Sequence, residues 1–122
     1  MKTSRANKRS WLIACVLAAL SAAPVFAVNY ACTGPVNGVS TGPGGVVSAA
    51  TAGGQQWGYF CQLGATTNNV SAETCKGILA ILLAAQASGK SVTIWYDDAL
   101  SCSTHESWAW LNTWYWGPSI ID

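Results

Sequence analysis

Residues 71–98 constrain this chain most: an apolar helix pattern, a glycine stop and an aromatic strand pattern follow one another directly. Cys75, Ile78, Leu79, Leu82 and Leu83 recur at the i, i+3, i+4, i+7, i+8 spacing of one helical face, which predicts a helix over 71–88. Ser71 suits the N-cap, and Glu73 places a carboxylate near the positive end of the helix dipole. Gly89 can adopt the left-handed conformation that ends a helix, with Lys90 near the carbonyl end. On the other side, Ala80, Ile81, Ala84 and Ala85 offer water little to solvate. A helix apolar nearly all round is covered on more than one side, and in so small a domain the second cover can be another copy of the chain. A homo-oligomer is therefore expected. Val92, Ile94 and Tyr96 then alternate with Thr93, Trp95 and Asp97, the period of a strand.

The first 27 residues carry the marks of an export leader rather than of the fold. Lys2, Arg5, Lys8 and Arg9 form a basic head, residues 11–22 an apolar core, and Val25-Phe26-Ala27 a small-residue cleavage site after Ala27. Leu12-Ile13-Ala14-Cys15 resembles a lipoprotein cleavage box, but too few apolar residues precede the cysteine to make an export core. No later run reaches the roughly 20 apolar residues of a membrane span, so the expected location is secreted or periplasmic. Residues 28–122 keep two lysines against five carboxylates, a formal net charge of −3. Two lysines make no phosphate-binding patch, which excludes nucleic acid as a partner.

Without Cys15, four cysteines remain, an even number suited to an oxidising compartment. Three pairings can be drawn. The preferred one joins Cys61 to Cys75, tying a strand to the helix start, and Cys32 to Cys102, joining the two ends of the domain. A zinc site is disfavoured, because no Cys-x-x-Cys spacing occurs and the chain has one histidine. Neither metal nor cofactor is expected.

The remaining pattern is short strands. Residues 28–33 suit an edge strand stopped at Gly34-Pro35, and 36–41 a weak strand before the Gly42-Pro43-Gly44-Gly45 turn. Residues 46–51 and 56–63 flank a Gly53-Gly54 hairpin turn, with Trp57, Tyr59, Cys61 and Leu63 on one face. Residues 66–69 form a polar loop, 99–106 a loop carrying Cys102 and His105, and 108–121 a last strand or extended arm. One α+β domain over 28–122 follows, a small OB-like barrel or a curved antiparallel sheet packed on one helix.

Tyr59-Phe60-Cys61, the cysteine-bearing helix and the run Gly89-Lys90-Ser91-Val92-Thr93-Ile94-Trp95-Tyr96 resemble the subtilase cytotoxin B subunit and, more distantly, the pertussis-type B subunits. Small exported proteobacterial proteins of unassigned function share the plan. The resemblance covers residues 46–97 and implies an OB-like fold, a pentameric ring, an enzymatic A subunit as a companion in the toxins, and recognition of surface glycans, often sialylated. It places Tyr96 where that family has a sugar-contacting tyrosine. The family's carboxylate-binding serine has Gly44 in its place, which removes that hydroxyl.

Aromatic residues carry the strongest chemical signal. Trp108, Trp110, Trp114 and Trp116 share one parity with Asn112, so an extended strand would line them along one face. Exposed, they make a stacking platform for sugar rings or a partner's side chains; buried, they are core or subunit interface. Trp57 and Trp95, inside strand patterns, lean to core. Asp97 and Asp98 can accept sugar hydroxyls, although two carboxylates ending a strand commonly just solvate a turn. Calcium, with six to eight oxygen ligands, is poorly supplied by Ser101, Ser103 and Glu106 alone. His105 beside Ser103 and Glu106 forms no triad spacing, no Gly-x-Ser-x-Gly elbow is present, and a solvated loop histidine is expected. Asp97 and Glu106 as paired carboxylates for sugar hydrolysis need a separation that spacing does not supply.

The sequence therefore predicts a non-enzymatic exported binding module. Tyr96, Trp95, Trp108, Trp110 and Trp114 are expected to stack on a glycan, with Asp97, Asp98 or Asn112 meeting its hydroxyls. The competing expectation is a periplasmic or secreted interaction or inhibitor protein that presents the same aromatics to a protein partner.

Overall fold

A computed structural model describes residues 29–122; the expected leader and its Cys15 lie outside the described residues. Seven strands and one helix follow in the order β1 (Tyr30–Pro35), β2 (Ser40–Thr41), β3 (Val46–Ala52), β4 (Gln55–Gln62), α1 (Ala72–Ser88), β5 (Ser91–Tyr96), β6 (Ala109–Trp110) and β7 (Trp114–Ile121). They form two sheets, β1-β5-β7 and β2-β3-β4-β6. The α+β class is as expected. Closure into an OB-like barrel is not seen, because the ladders remain two separate sheets.

Helix α1 has the expected caps. The Ser71 hydroxyl accepts from the Thr74 amide at 3.1 Å, and Gly89 ends the helix at φ 67°. Its buried positions are Cys75, Ile78, Leu82 and Ala85, spaced three, four and three. Leu83, expected on that face, is instead 46% exposed. One helix touches β3 and β4 on one side and β5 and β7 on the other, so it seals the gap between the sheets along a narrow stripe, and i+8 falls outside that stripe.

Strand β5 is the centre of its sheet, with Val92, Ile94 and Tyr96 fully buried and Thr93 nearly so. The Thr93 hydroxyl meets that of the exposed Thr33 on β1 at 2.7 Å, which gives the buried Thr93 side chain its partner. Strand β1 runs on through Gly34 and Pro35, paired with Val92 and Ser91; an edge strand tolerates a proline that lacks an N–H. On the other edge, β7 shifts register twice against β5. A Cβ on Gly117, at φ 97°, would lie 2.6 Å from the Thr93 carbonyl oxygen, so only glycine lets this strand approach.

Two expected faces are broken. Strand β4 shifts register between the Val47↔Cys61 and Ser48↔Tyr59 pairs, so Phe60 and Cys61 are both buried while Trp57 is 41% exposed. The expected last strand splits into β6 and β7, with residues 111–113 outside both, and the common parity from Trp108 to Trp116 is lost.

Both disulfides are as expected. Cys61–Cys75 joins β4 to the first turn of α1, and Cys32–Cys102 joins β1 to the loop after β5 across 70 residues. Closing loops of these sizes disfavours the unfolded chain by about 3 and about 4.5 kcal/mol respectively in the chain-entropy account.

Candidate binding surface

The candidate surface is built where β6 lies parallel to β4. The Trp108 amide donates to the Trp57 carbonyl at 2.9 Å, and the Leu111 amide to the Tyr59 carbonyl at 3.0 Å. Gly58 makes this contact feasible, since a Cβ there would press on the Leu111 side chain at 3.0 Å. Trp57 and Trp108 both hold left-handed backbone, φ 49° and 60°, which is rare and costly for a bulky residue. Their indoles stack 4.4 Å apart with an 8° interplanar angle, and Trp108 is 61% exposed. Beside them Tyr59 and Trp110 pack at a 55° tilt, with Trp110 exposed.

A part-buried polar cluster adjoins this platform through Gln55, which bonds to residues flanking the two tryptophans. The Gln55 amide donates to the carbonyls of Gln56 (3.2 Å) and Glu106 (2.8 Å), so its oxygen faces His105 Nδ1 at 3.0 Å and accepts from it. His105 Nε2 faces the Tyr30 hydroxyl at 2.6 Å and Asp98 Oδ2 at 3.3 Å. Tyr30 and Thr113 both donate to the Asp98 carboxylate, and the Leu100 amide adds a third bond at 2.9 Å. Burial pushes the Asp98 carboxyl up, but these hydrogen bonds, with the neighbouring His105, outweigh it and hold it below the usual carboxylate range. The Tyr30 and Tyr96 phenols are raised, by burial first and by Asp98 in addition, with Tyr30 adding at Tyr96. Tyr96 packs edge-on against His105 at 4.2 Å.

These contacts correct several expectations. His105 is not a solvated loop residue: its side chain is 7% exposed, because Cys32–Cys102 draws its loop over β1. Asp98 ties three segments together rather than solvating a turn, while Asp97 is exposed. Tyr96 is fully buried and has no face free for a ligand; its hydroxyl lacks a partner among the described residues. Trp95 is half-buried, opposite Trp116 in the β5–β7 register. Trp57, expected to be core, is exposed. No group of three or more His, Cys, Asp or Glu side chains suited to a metal occurs among the described residues. No helix among them is long and apolar enough to cross a membrane.

A groove of about 570 Å³ opens between α1 and β7. Ile78, Ile81 and Trp114 form its apolar part, and Asn69, Asn112 and Ser119 supply uncharged polar groups. Trp116, 66% exposed, stands in its wall. Asn68 and Asn69 have φ of 59° and 61° between reciprocal Thr67–Val70 backbone bonds of 3.0 Å, a tight turn with both central residues left-handed. The Asn68 amide donates to the Leu111 carbonyl at 2.8 Å and fastens this turn to the tryptophan-bearing arm. Of the sequence-predicted residues, Trp108 and Trp110 come together at the platform, and Asn112 and Trp114 at the groove. Spacing missed Trp57, Asn69 and the polar cluster, although the Asn-Asn pair is itself a signal for positive φ.

The surface carries no cation. The only lysines or arginines in residues 29–122 are Lys76 and Lys90, paired with Glu73 (3.3 Å) and Asp122. Comparison with protein-family models, curated proteins and solved structures found no match to this chain, so the resemblance to toxin B subunits rests on the residues quoted for it.

Proposed function

We propose that this domain is an exported, non-enzymatic binding module for uncharged glycans. The observation that carries the reading is the Trp57–Trp108 pair: two bulky residues held in left-handed backbone, stacked, and left at the surface. Strain and exposed indole both oppose folding, so the arrangement is accounted for by what it meets outside. A sugar ring offers an apolar face to a flat indole and hydroxyls to amides and side-chain hydroxyls. Gln56 and Ser107 lie next in sequence to the two tryptophans and line a recess of about 400 Å³. Both lysines are committed elsewhere, and Gly44 replaces the serine hydroxyl of the resembling family, so the ligand class is neutral rather than sialylated. The two disulfides support an oxidising destination.

The test is an array of neutral and sialylated glycans probed with residues 28–122. Retention of neutral glycans is expected, reduced ten-fold or more (about 1.4 kcal/mol) in W57A and W108A with melting temperature unchanged. Retention of no glycan, or equal retention by the tryptophan variants, overturns the reading; capture of a protein lost in the same variants assigns the surface to a protein partner. The wider form of the proposal, an OB-like B subunit in a homo-oligomeric ring, predicts a five-fold mass by light scattering. A monomer removes the ring and leaves the sugar reading standing.

A further inference from the structure

Three concavities adjoin along the arm from Ser107 to Trp116. The recess beside the stacked pair and a cleft of about 410 Å³ at Trp110 share Gln55 and His105 as a common wall. The cleft and the α1–β7 groove share Asn112. Recess and groove share no lining residue, so the cleft is the concavity that borders both. Trp110 lines the cleft and Trp116 the groove, while the recess is lined by Gln56 and Ser107, the residues directly before the stacked Trp57 and Trp108. Uncharged amides or hydroxyls line all three, Ser107 in the recess, Thr104 and Asn112 in the cleft, Asn69 in the groove. Eight residue steps separate Trp108 from Trp116, a span of at most roughly 29 Å if the backbone were fully extended.

From this repetition we infer that the ligand is an extended, uncharged glycan chain occupying several consecutive subsites, rather than a single terminal sugar. The inference rests on the glycan reading above and specifies its substrate class. A terminal-sugar binder needs one aromatic and one set of hydroxyl partners in one concavity. Here an indole and a neutral polar group occur together in the cleft and again in the groove, and the Trp57–Trp108 pair follows directly on two residues that line the recess. Subsites on one rigid frame are filled by one molecule, so each added ring that reaches a new aromatic raises affinity without a second loss of translational freedom.

The experiment is calorimetric titration of residues 28–122 with cello-, chito- and α-manno-oligosaccharides of one to six units. For the series that binds, affinity should climb at least ten-fold from one unit to the longest chain and then level off. In W108A and in W116A, which alter the stacked pair and the groove, the climb should stop at a shorter length. Affinity equal at all lengths, or an unaltered climb in both variants, overturns the extended-chain inference while leaving glycan binding in place. Absence of binding in every series overturns the glycan reading itself, and this inference with it. Both tryptophans are exposed, so an unchanged melting temperature identifies a variant that is folded.

Discussion

His105 shows how a single residue can be misjudged from its neighbours. Ser103 and Glu106 beside it suggest solvent, yet both ring nitrogens are engaged, by Gln55 on one side and by Tyr30 and Asp98 on the other. His105→Ala leaves the Gln55 oxygen, the Tyr30 hydroxyl and the Asp98 carboxylate short of partners. A loss of about 2–4 kcal/mol in urea unfolding is expected. Asp98 makes the acid limb of stability. Its folded pKa is depressed, so its contribution is present above the unfolded carboxylate value near about 3.9 and is lost as pH falls through the lower folded value. Asp98→Asn should lower stability at neutral pH and flatten the decline below about pH 4, read by thermal melts across pH. Tyr96→Phe works in the opposite sense. It deletes a buried hydroxyl that has no partner among the described residues, and an unchanged or raised melting temperature is expected.

At the scale of elements, the helix was legible because its determinants are local. Caps at Ser71 and Gly89 and the apolar period all lie within the segment itself. Leu82→Ala should cost about 2–5 kcal/mol, whereas Leu83→Ala, on an exposed position, should stay within about 1 kcal/mol. Equal losses in denaturant titrations would contradict the helix orientation. The last strand was less legible. Parity across 108–116 assumes unbroken extension, but Trp108 takes positive φ and the chain leaves the sheet at 111–113 before β7 begins. Pairing of β6 with β4, more than 45 residues earlier, is what interrupts it, and period-two reasoning does not register a distant partner. The bulge in β4 acts likewise, turning Trp57 outward from a pattern that reads as core.

For the whole molecule, the two disulfides divide the work. Cys61–Cys75 closes a short loop around the helix start, while Cys32–Cys102 holds the His105 loop against β1 from 70 residues away. Replacing Cys32 and Cys102 by Ala should lower stability by roughly 3–5 kcal/mol and loosen the His105 loop that precedes Trp108. Paired replacement of Cys61 and Cys75 should lower stability with less effect on the proposed glycan retention, a contrast read by melting curves together with the glycan array. The sequence by itself determined the α+β class, the capped helix, the central aromatic strand and an even cysteine count that admits three pairings, because period, caps and cysteine parity are read directly from the residues. Only the tertiary structure decided that the strands form two sheets, that Tyr96 and His105 are buried together, and that Trp57 meets Trp108 at the surface. Those outcomes depend on contacts between segments dozens of residues apart, whose geometry is set by bulges, left-handed backbone and a long-range disulfide rather than by any local pattern.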